Sequence, residues 1–148
     1  MKIIHIAGLS GSSKSTLIND LIPVLGAQGS VAVIKHLGHH TFDPEPGKDT
    51  TAFFEAGAKI TIGIDAKKSV ALIRTASLDE ILALLAGTGT DFVVIEGFKQ
   101  RPFAKAVIGD LAAENVLVRD PTVQDIIANI DRFDTYRPPH NAGQRGTR

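Results

Sequence analysis

The chain has 148 residues, 43% hydrophobic and 22% charged, with 16 basic residues against 16 acidic ones and no cysteine. That length carries one well-buried domain rather than two ordinary ones, and the composition excludes a disordered chain. Zero net charge excludes a global pull toward nucleic acid or an anionic membrane, so any anion site is local; without cysteine there are no disulfides or thiolate metal sites, which fits a cytoplasmic protein.

The first element is a β-rich run, Lys2 to Ala7, ending at Gly8. It is short, interrupted by His5 and followed at once by a Gly-rich turn, so it reads as a strand and not as a signal peptide. No apolar run approaches the ~18 residues needed to span a bilayer. A helix is expected from about Lys14 to Ala27, with Leu17, Leu21 and Leu25 on one stripe, Pro23 kinking or shortening it, and Gly26 and Gly29 as stop signals. Val31 to Lys35 is a second strand. A long polar segment, His36 to Asp49, follows; its length and chemistry favour function over mere connection.

Thr50 to Ala58 reads as a short helix, and Ile60–Ile64 with Val70–Arg74 as a hairpin around a polar turn. Ser77-Leu78-Asp79-Glu80 matches a capping box, which predicts a helix from Leu78 to about Ala86. Phe92 to Ile95 is an apolar strand ending on Glu96-Gly97. Ala106–Ile108 and Val116–Val118 are short strands, and Thr122 to Phe133 is a closing amphipathic helix with Val123, Ile126, Ile127 and Ile130 inward. Alternation of strands and helices predicts an α/β fold with a mainly parallel sheet covered on both faces and an antiparallel hairpin inserted. A single domain is expected over 1–134, and a flexible tail over 135–148, where proline and glycine are frequent and apolar residues few.

Between the first strand and the first helix lies Gly8-Leu9-Ser10-Gly11-Ser12-Ser13-Lys14-Ser15. This is the context of a phosphate loop: backbone N–H groups and a helix N-terminus converge on an anion, with Lys14 reaching the β- and γ-phosphates, Ser15 placing its hydroxyl on Mg²⁺ and Thr16 supporting the helix start. The pattern wants Gly where Ser13 stands, and a Cβ there is expected to crowd the phosphates or strain the turn. The plain alternative is a Ser/Gly turn that only caps a helix. Glu96, at a strand C-terminus, faces the same crevice in a doubly wound sheet, where it orients Mg²⁺ through a water or positions an attacking water; the alternative is a solvated Glu. Lys99 either pairs with an anionic ligand or is a surface lysine. His36, His39, His40 and Asp43 invite a metal reading, but no downstream ligand pair at zinc spacing completes it.

Five segments carry a resemblance: Ser10–Leu17, Val33-Ile34-Lys35-His36, Pro46-Gly47-Lys48-Asp49, Ala56-Gly57-Ala58 and Val94-Ile95-Glu96-Gly97-Phe98-Lys99. In this order and at about this spacing they resemble the molybdopterin-guanine dinucleotide biosynthesis protein B family, over roughly Ile3 to Val118. The resemblance implies a P-loop fold, GTP binding with Mg²⁺, and a dimeric adapter with at most weak GTPase activity. Such an adapter acts beside the guanylyltransferase that joins GMP to molybdopterin. It also implies that Gly11, Lys14 and Ser15 bind phosphate and magnesium and that Glu96 acts near the metal. His36, Lys48 and Asp49 would line the adjoining pocket, and Asp120 would read guanine. Three departures are visible: Ser13 for glycine; an extra residue in Lys35-His36-Leu37-Gly38-His39-His40, where the family has Lys-His-x-His-His; and a C-terminal end that ties only loosely to the family pattern. The competing readings are a small-molecule kinase using ATP or GTP, and a scaffold with a degenerate loop. A kinase needs an arginine-bearing lid, for which Arg101 is a candidate.

Overall fold

The computed structural model describes residues 1–11 and 13–138. In chain order the elements are β1 (Lys2–Gly8), α1 (Lys14–Gly26), β2 (Val31–Lys35), α2 (Asp49–Glu55), β3 (Ile60–Ile64), β4 (Ser69–Ile73), α3 (Leu78–Gly87), β5 (Phe92–Glu96), β6 (Lys105–Ile108), β7 (Val116–Arg119), α4 (Val123–Ala128) and a 3₁₀ turn at Ile130–Arg132. They fall into two compact units, Met1–His36 with Ile81 onward, and Leu37–Glu80.

The first unit is built on a five-stranded sheet in the order β2-β5-β1-β6-β7, every neighbouring pair parallel. A central parallel strand is buried on both faces, and this explains why β1 and β5 read as continuous apolar runs instead of alternating. Ile4 and Ile6 of β1, Val94 of β5 and Ala106 of β6 pack with Ile18, Leu21 and Leu25 of α1 and Ile126 of α4. Ile3, Val93, Ile95 and Val107 alternate with these and are also buried, as is Leu82 of α3. The buried stripe of α1 is therefore Lys14, Ile18, Leu21 and Leu25, while Leu17 only borders the core. Pro23 does not end α1, which continues to Gly26. Pro23 and Asn19, whose carbonyl loses a helical partner, are both exposed, so water can satisfy that carbonyl.

The closing helix is shorter than its periodicity suggested. Thr122 caps it, accepting from Asp125 N at 3.2 Å while Asp125 Oδ2 accepts from Thr122 N at 2.8 Å. The helix stops at Ala128, and Asn129, at φ −105° and ψ 11°, separates it from the 3₁₀ turn. The Asn129 side-chain amide donates to Asp125 O at 2.8 Å, and its backbone N–H donates to the same oxygen at 3.2 Å. Beyond it, Thr135 bridges Lys2 and Tyr136 N donates to Met1 O at 2.8 Å. Residues 139–148 of the expected tail lie outside the described residues.

In the second unit α2 packs on β3, and β3 pairs antiparallel with β4. The turn between them is held by Asp65, whose Oδ1 accepts from Lys67 N at 2.7 Å and Lys68 N at 2.8 Å. Thr61 is buried and Gly63 lies against Thr50, whereas Ile60, Ile62 and Ile64 on the other face are 47%, 57% and 79% exposed. Helix α2 begins one residue earlier and ends sooner than predicted, at Glu55, followed by Gly57 at φ +113°. The Arg74 guanidinium lies 4.1 Å over the Phe54 ring and donates to Phe54 O. Helix α3 starts on half a capping box: Ser77 Oγ accepts from Glu80 N at 3.3 Å, but Ser77 N is taken by Thr75 Oγ1 at 3.1 Å.

Candidate functional site

Strand β1 is buried down to Gly8, and the chain then surfaces: Leu9 is 51% exposed and Ser10, Gly11 and Ser13 are exposed with it. Gly11 has φ +78°, a conformation that glycine adopts without steric cost, and the space where its Cβ would sit is open. Ser12 lies outside the described residues. The expected strain at Ser13 is not there: its φ of −73° is open to any L-residue.

Helix α1 then begins with no side-chain cap and no acidic residue in its first turn, so no side chain of its own offsets the positive end of its dipole. Ser15 and Thr16 are exposed on that turn, but Lys14 is 8% exposed. Its ammonium turns back over the loop and donates to Leu9 O at 2.6 Å. Burial, above all, holds the Lys14 amine below the ordinary lysine range; the Glu96 carboxylate pulls it back up, and Lys99 and Lys35 push it down.

Glu96 reaches this place because β5 lies between β1 and β2. Its backbone is in register with Ile6 on one side and Lys35 on the other. Its side chain, 13% exposed, pairs with Lys35 Nζ at 3.7 Å. Lys35 thus pairs with Glu96, and Lys14 lies within electrostatic reach of Glu96, Lys35 and Lys99, a local positive excess in a chain of zero net charge. Such a cluster beside an uncapped helix start is what an oligoanion needs.

The turn after Glu96 is pinned from three directions. His36 N donates to Glu96 O at 2.9 Å, Gly97 N donates to Ile6 O at 3.2 Å, and His5 Nε2 donates to Gly97 O at 2.6 Å. Gly97 has φ +91°, and a Cβ on it would lie 2.7 Å from His36 Cβ. Phe98 follows at φ +46°, and its ring stacks on the exposed His36 at 4.4 Å and 27°.

The remaining predicted residues are dispersed. Asp120 follows β7 at the same edge of the sheet, at φ +47°, and its Oδ1 accepts from Gly109 N at 2.7 Å, so one carboxylate oxygen is committed to a turn. Lys48 and Asp49 belong to the second unit, where Lys48 precedes α2 and pairs with Glu45 at 3.6 Å, and Asp49 opens the helix. His39 and His40 are exposed in the same unit, and among the described residues no group of three or more His, Asp or Glu is placed to hold a metal ion.

Three residues were not singled out from sequence. His5 is fully buried; burial dominates in lowering its pKa, and its Nδ1 finds no hydrogen-bond partner among the described residues. The imidazole is therefore neutral, with its proton on Nε2 toward Gly97. Lys105, 1% exposed, donates to Arg101 O at 2.9 Å and Glu114 O at 3.1 Å, tying two loops around a cavity of about 530 Å³. No described residue of the Gly8–Ser15 loop lines that cavity. Phe98 is the third. A histidine inside an apolar strand and a lysine at the start of another were the available signals; Phe98 stood in the resemblance segment Val94–Lys99 but was given no role there.

The family model described as molybdopterin guanine dinucleotide synthesis protein B (MobB) matches residues 3–132. The molybdopterin-guanine dinucleotide biosynthesis adapter protein of Haemophilus influenzae is 37% identical over 110 residues, covering 72% of this chain and 62% of the relative. That of Escherichia coli is 34% identical over 112 residues, covering 72% and 64%. The chain spans 42–64% of the length of the curated relatives it matches. Among solved structures, Bacillus subtilis MobB aligns with a TM-score of 0.62 at 24% identity, covering 89% of this chain and 95% of that one, a likeness of fold. A helix-flanked parallel sheet carrying this loop, and a family match over nearly all its described length, place the chain in the molybdopterin guanine dinucleotide synthesis protein B (MobB) family.

Proposed function

We propose that this protein is a GTP-binding adapter of molybdenum cofactor assembly, acting in the cytoplasm beside the guanylyltransferase that forms molybdopterin guanine dinucleotide. The observation that carries the reading is the buried Lys14 ammonium, folded over an exposed loop at an uncapped helix start and flanked by Lys35, Lys99 and Glu96. Names given to the Haemophilus and Escherichia relatives supply the pathway. Gly8, Ser10, Gly11, Ser13, Lys14, Ser15 and Thr16 would cradle the phosphates, and Asp120 would read the base through the oxygen that Gly109 does not take. Ser15 and Glu96 would hold Mg²⁺, whose charge would neutralise the phosphate oxygens. As an adapter, the protein would be at most a weak GTPase. No helix is long and apolar enough to cross a membrane among the described residues.

A homodimer belongs to the same reading. The outward face of β3 exposes Ile60, Ile62 and Ile64, and its strand partners there are Ile73, Ala71 and Ser69. An exposed row of isoleucines on a two-stranded sheet is the kind of surface that a second copy would bury.

Titration with GTP, ATP and GDP, with and without Mg²⁺, tests the nucleotide. Tight Mg-dependent GTP binding with negligible turnover is expected, and Lys14→Ala should weaken it at least tenfold, about 1.4 kcal/mol. Preference for ATP, or transfer to an added acceptor, would establish a kinase instead. Binding that emerges only in Ser13→Gly would establish a scaffold with a degenerate loop.

A further inference from the structure

We infer that the cavity framed by Arg101, Lys105 and the 111–114 loop is a second ligand site, one that takes a small organic acid, a carboxylate head on a short apolar body. It stands apart from the Gly8–Ser15 loop, and it does not depend on the nucleotide reading.

The cavity exists because of how β6 is connected. β6 lies beside β1 on the side away from β5, so the chain leaving β5 must cross β1 to reach it. Parallel strands are usually joined by a crossover of about a dozen residues or more that carries a helix. Here β6 starts only at Lys105, in register with His5 partway along β1, and residues 97–104 span the distance as a turn and irregular chain. Residues 109–115 then join β6 to β7, again as irregular chain. Every lining residue lies on one of these two links or at the start of β6, all within the first unit. Loops where helices are usual therefore frame a space of about 530 Å³, inside the roughly 300–1,000 Å³ of small-molecule sites.

The lining carries an uncompensated buried cation. Lys105 is 1% exposed. An ammonium has three donors. Lys105 spends two, on Arg101 O at 2.9 Å and Glu114 O at 3.1 Å, and it forms no ion pair among the described residues. A residue needed only to tie these two carbonyls together could be a neutral amide, which has two donors and buries no charge. Burial holds the Lys105 amine below the ordinary lysine range, and the Glu114 and Asp134 carboxylates pull it back only in part. An anion in the cavity would supply both the third acceptor and the missing charge.

The rest of the wall sets the class of anion. Arg101 is held over the Phe103 ring at 5.2 Å, and Phe103 meets buried His5 edge-on at 6.0 Å, so the second cation is anchored to the sheet. With Lys99 at the exposed rim, three cations stand against the one carboxylate of Glu114, itself exposed. Pro102, Leu111, Ala112 and Ala113 complete the lining with apolar side chains. A few charged groups set in an apolar wall select an anion with hydrocarbon attached over a bare inorganic one.

The test titrates the isotope-labelled full chain with succinate, butyrate and inorganic phosphate and follows backbone amides by heteronuclear NMR. Saturable shifts at Arg101, Ala113 and Glu114 are expected with one or both organic acids, at lower concentration than with phosphate, and unchanged by saturating GTP. Lys105→Met keeps the apolar stem and loses the charge; it should weaken acid binding about tenfold or more, as loss of a hydrogen bond to a charged group does. Ala113→Phe, which fills the space and leaves Lys105 in place, should do the same, and it decides if Lys105→Met fails to fold by circular dichroism. No shift with either acid, shifts as strong with phosphate, shifts confined to Gly11 and Ser15, or displacement of the acid by GTP overturns the inference. So does a folded Lys105→Met that binds like wild type, which would leave Lys105 as a tie between two loops. Acid binding by a protein that binds no GTP removes the nucleotide reading and leaves this site standing.

Discussion

Replacing Gly97 with alanine separates packing from backbone strain. Gly97→Ala and Gly11→Ala both place a Cβ on a left-handed residue, at φ +91° and φ +78°. Each carries the left-handed penalty of roughly 1–2 kcal/mol, and each recovers about 0.4–1 kcal/mol because alanine restricts the unfolded chain. They differ in what the new carbon meets. At Gly11 nothing lies within 4 Å, whereas at Gly97 the carbon falls 2.7 Å from His36 Cβ. Carbon atoms settle at about 3.5–4.0 Å, so β2 and the Glu96 turn must separate by nearly an ångström. His36 Cβ is anchored to the backbone and cannot swing aside. Overpacking of this order costs about 1–3 kcal/mol, and that is the expected excess of Gly97→Ala over Gly11→Ala. At roughly 2–4 °C per kcal/mol for a chain of this size, Gly97→Ala should melt about 2–12 °C below Gly11→Ala by circular dichroism or calorimetry. Equal melting temperatures would show that the His36–Gly97 approach does not constrain the fold.

Two further outcomes follow from buried and capping groups. His5 is neutral in the folded protein, with its pKa lowered chiefly by burial, so in acid the unfolded chain takes up the proton first. Its contribution is complete above the ordinary histidine value of about 6.5 and is lost as pH falls below it. Urea midpoints measured from about pH 7 down to pH 5 should therefore decline more steeply for wild type than for His5→Gln, which has no proton to gain there; parallel curves would refute the assignment. Thr122→Ala removes the hydroxyl that accepts from Asp125 N and should cost about 1 kcal/mol, read as a melting temperature lowered by roughly 2–4 °C; an unchanged value would mean that the cap is redundant.

Much of the fold was legible because local patterns and the tertiary structure agree. The apolar runs of β1, β2 and β5, the glycines that end them and the Ser/Lys loop between β1 and α1 are properties of neighbouring residues, and they specify strand, turn and helix start before any packing is known. The sheet's parallel character follows from the alternation of strands and helices. Where expectation and structure part, local geometry and packing decide. Asn129 leaves helical geometry, at φ −105° and ψ 11°, and the closing helix stops at Ala128, while Ile18 displaces Leu17 from the buried stripe because the stripe's angle is set by the sheet beneath it.

By itself, the sequence marked one loop as the candidate anion site, since Gly11, Lys14 and Ser15 lie close together on one short segment between a strand and a helix. It could not determine what stands around that loop. Glu96 comes from a strand 82 residues beyond Lys14 and reaches it only because β5 inserts between β1 and β2. The left-handed turn at Gly97 and Phe98, the buried histidine beneath it and the aromatic pair above it all arise from contacts across three strands. The physical reason is range. A phosphate loop is a local conformation of one peptide, whereas the charge and stacking that give it a neighbour depend on strand order, which no short stretch of sequence encodes.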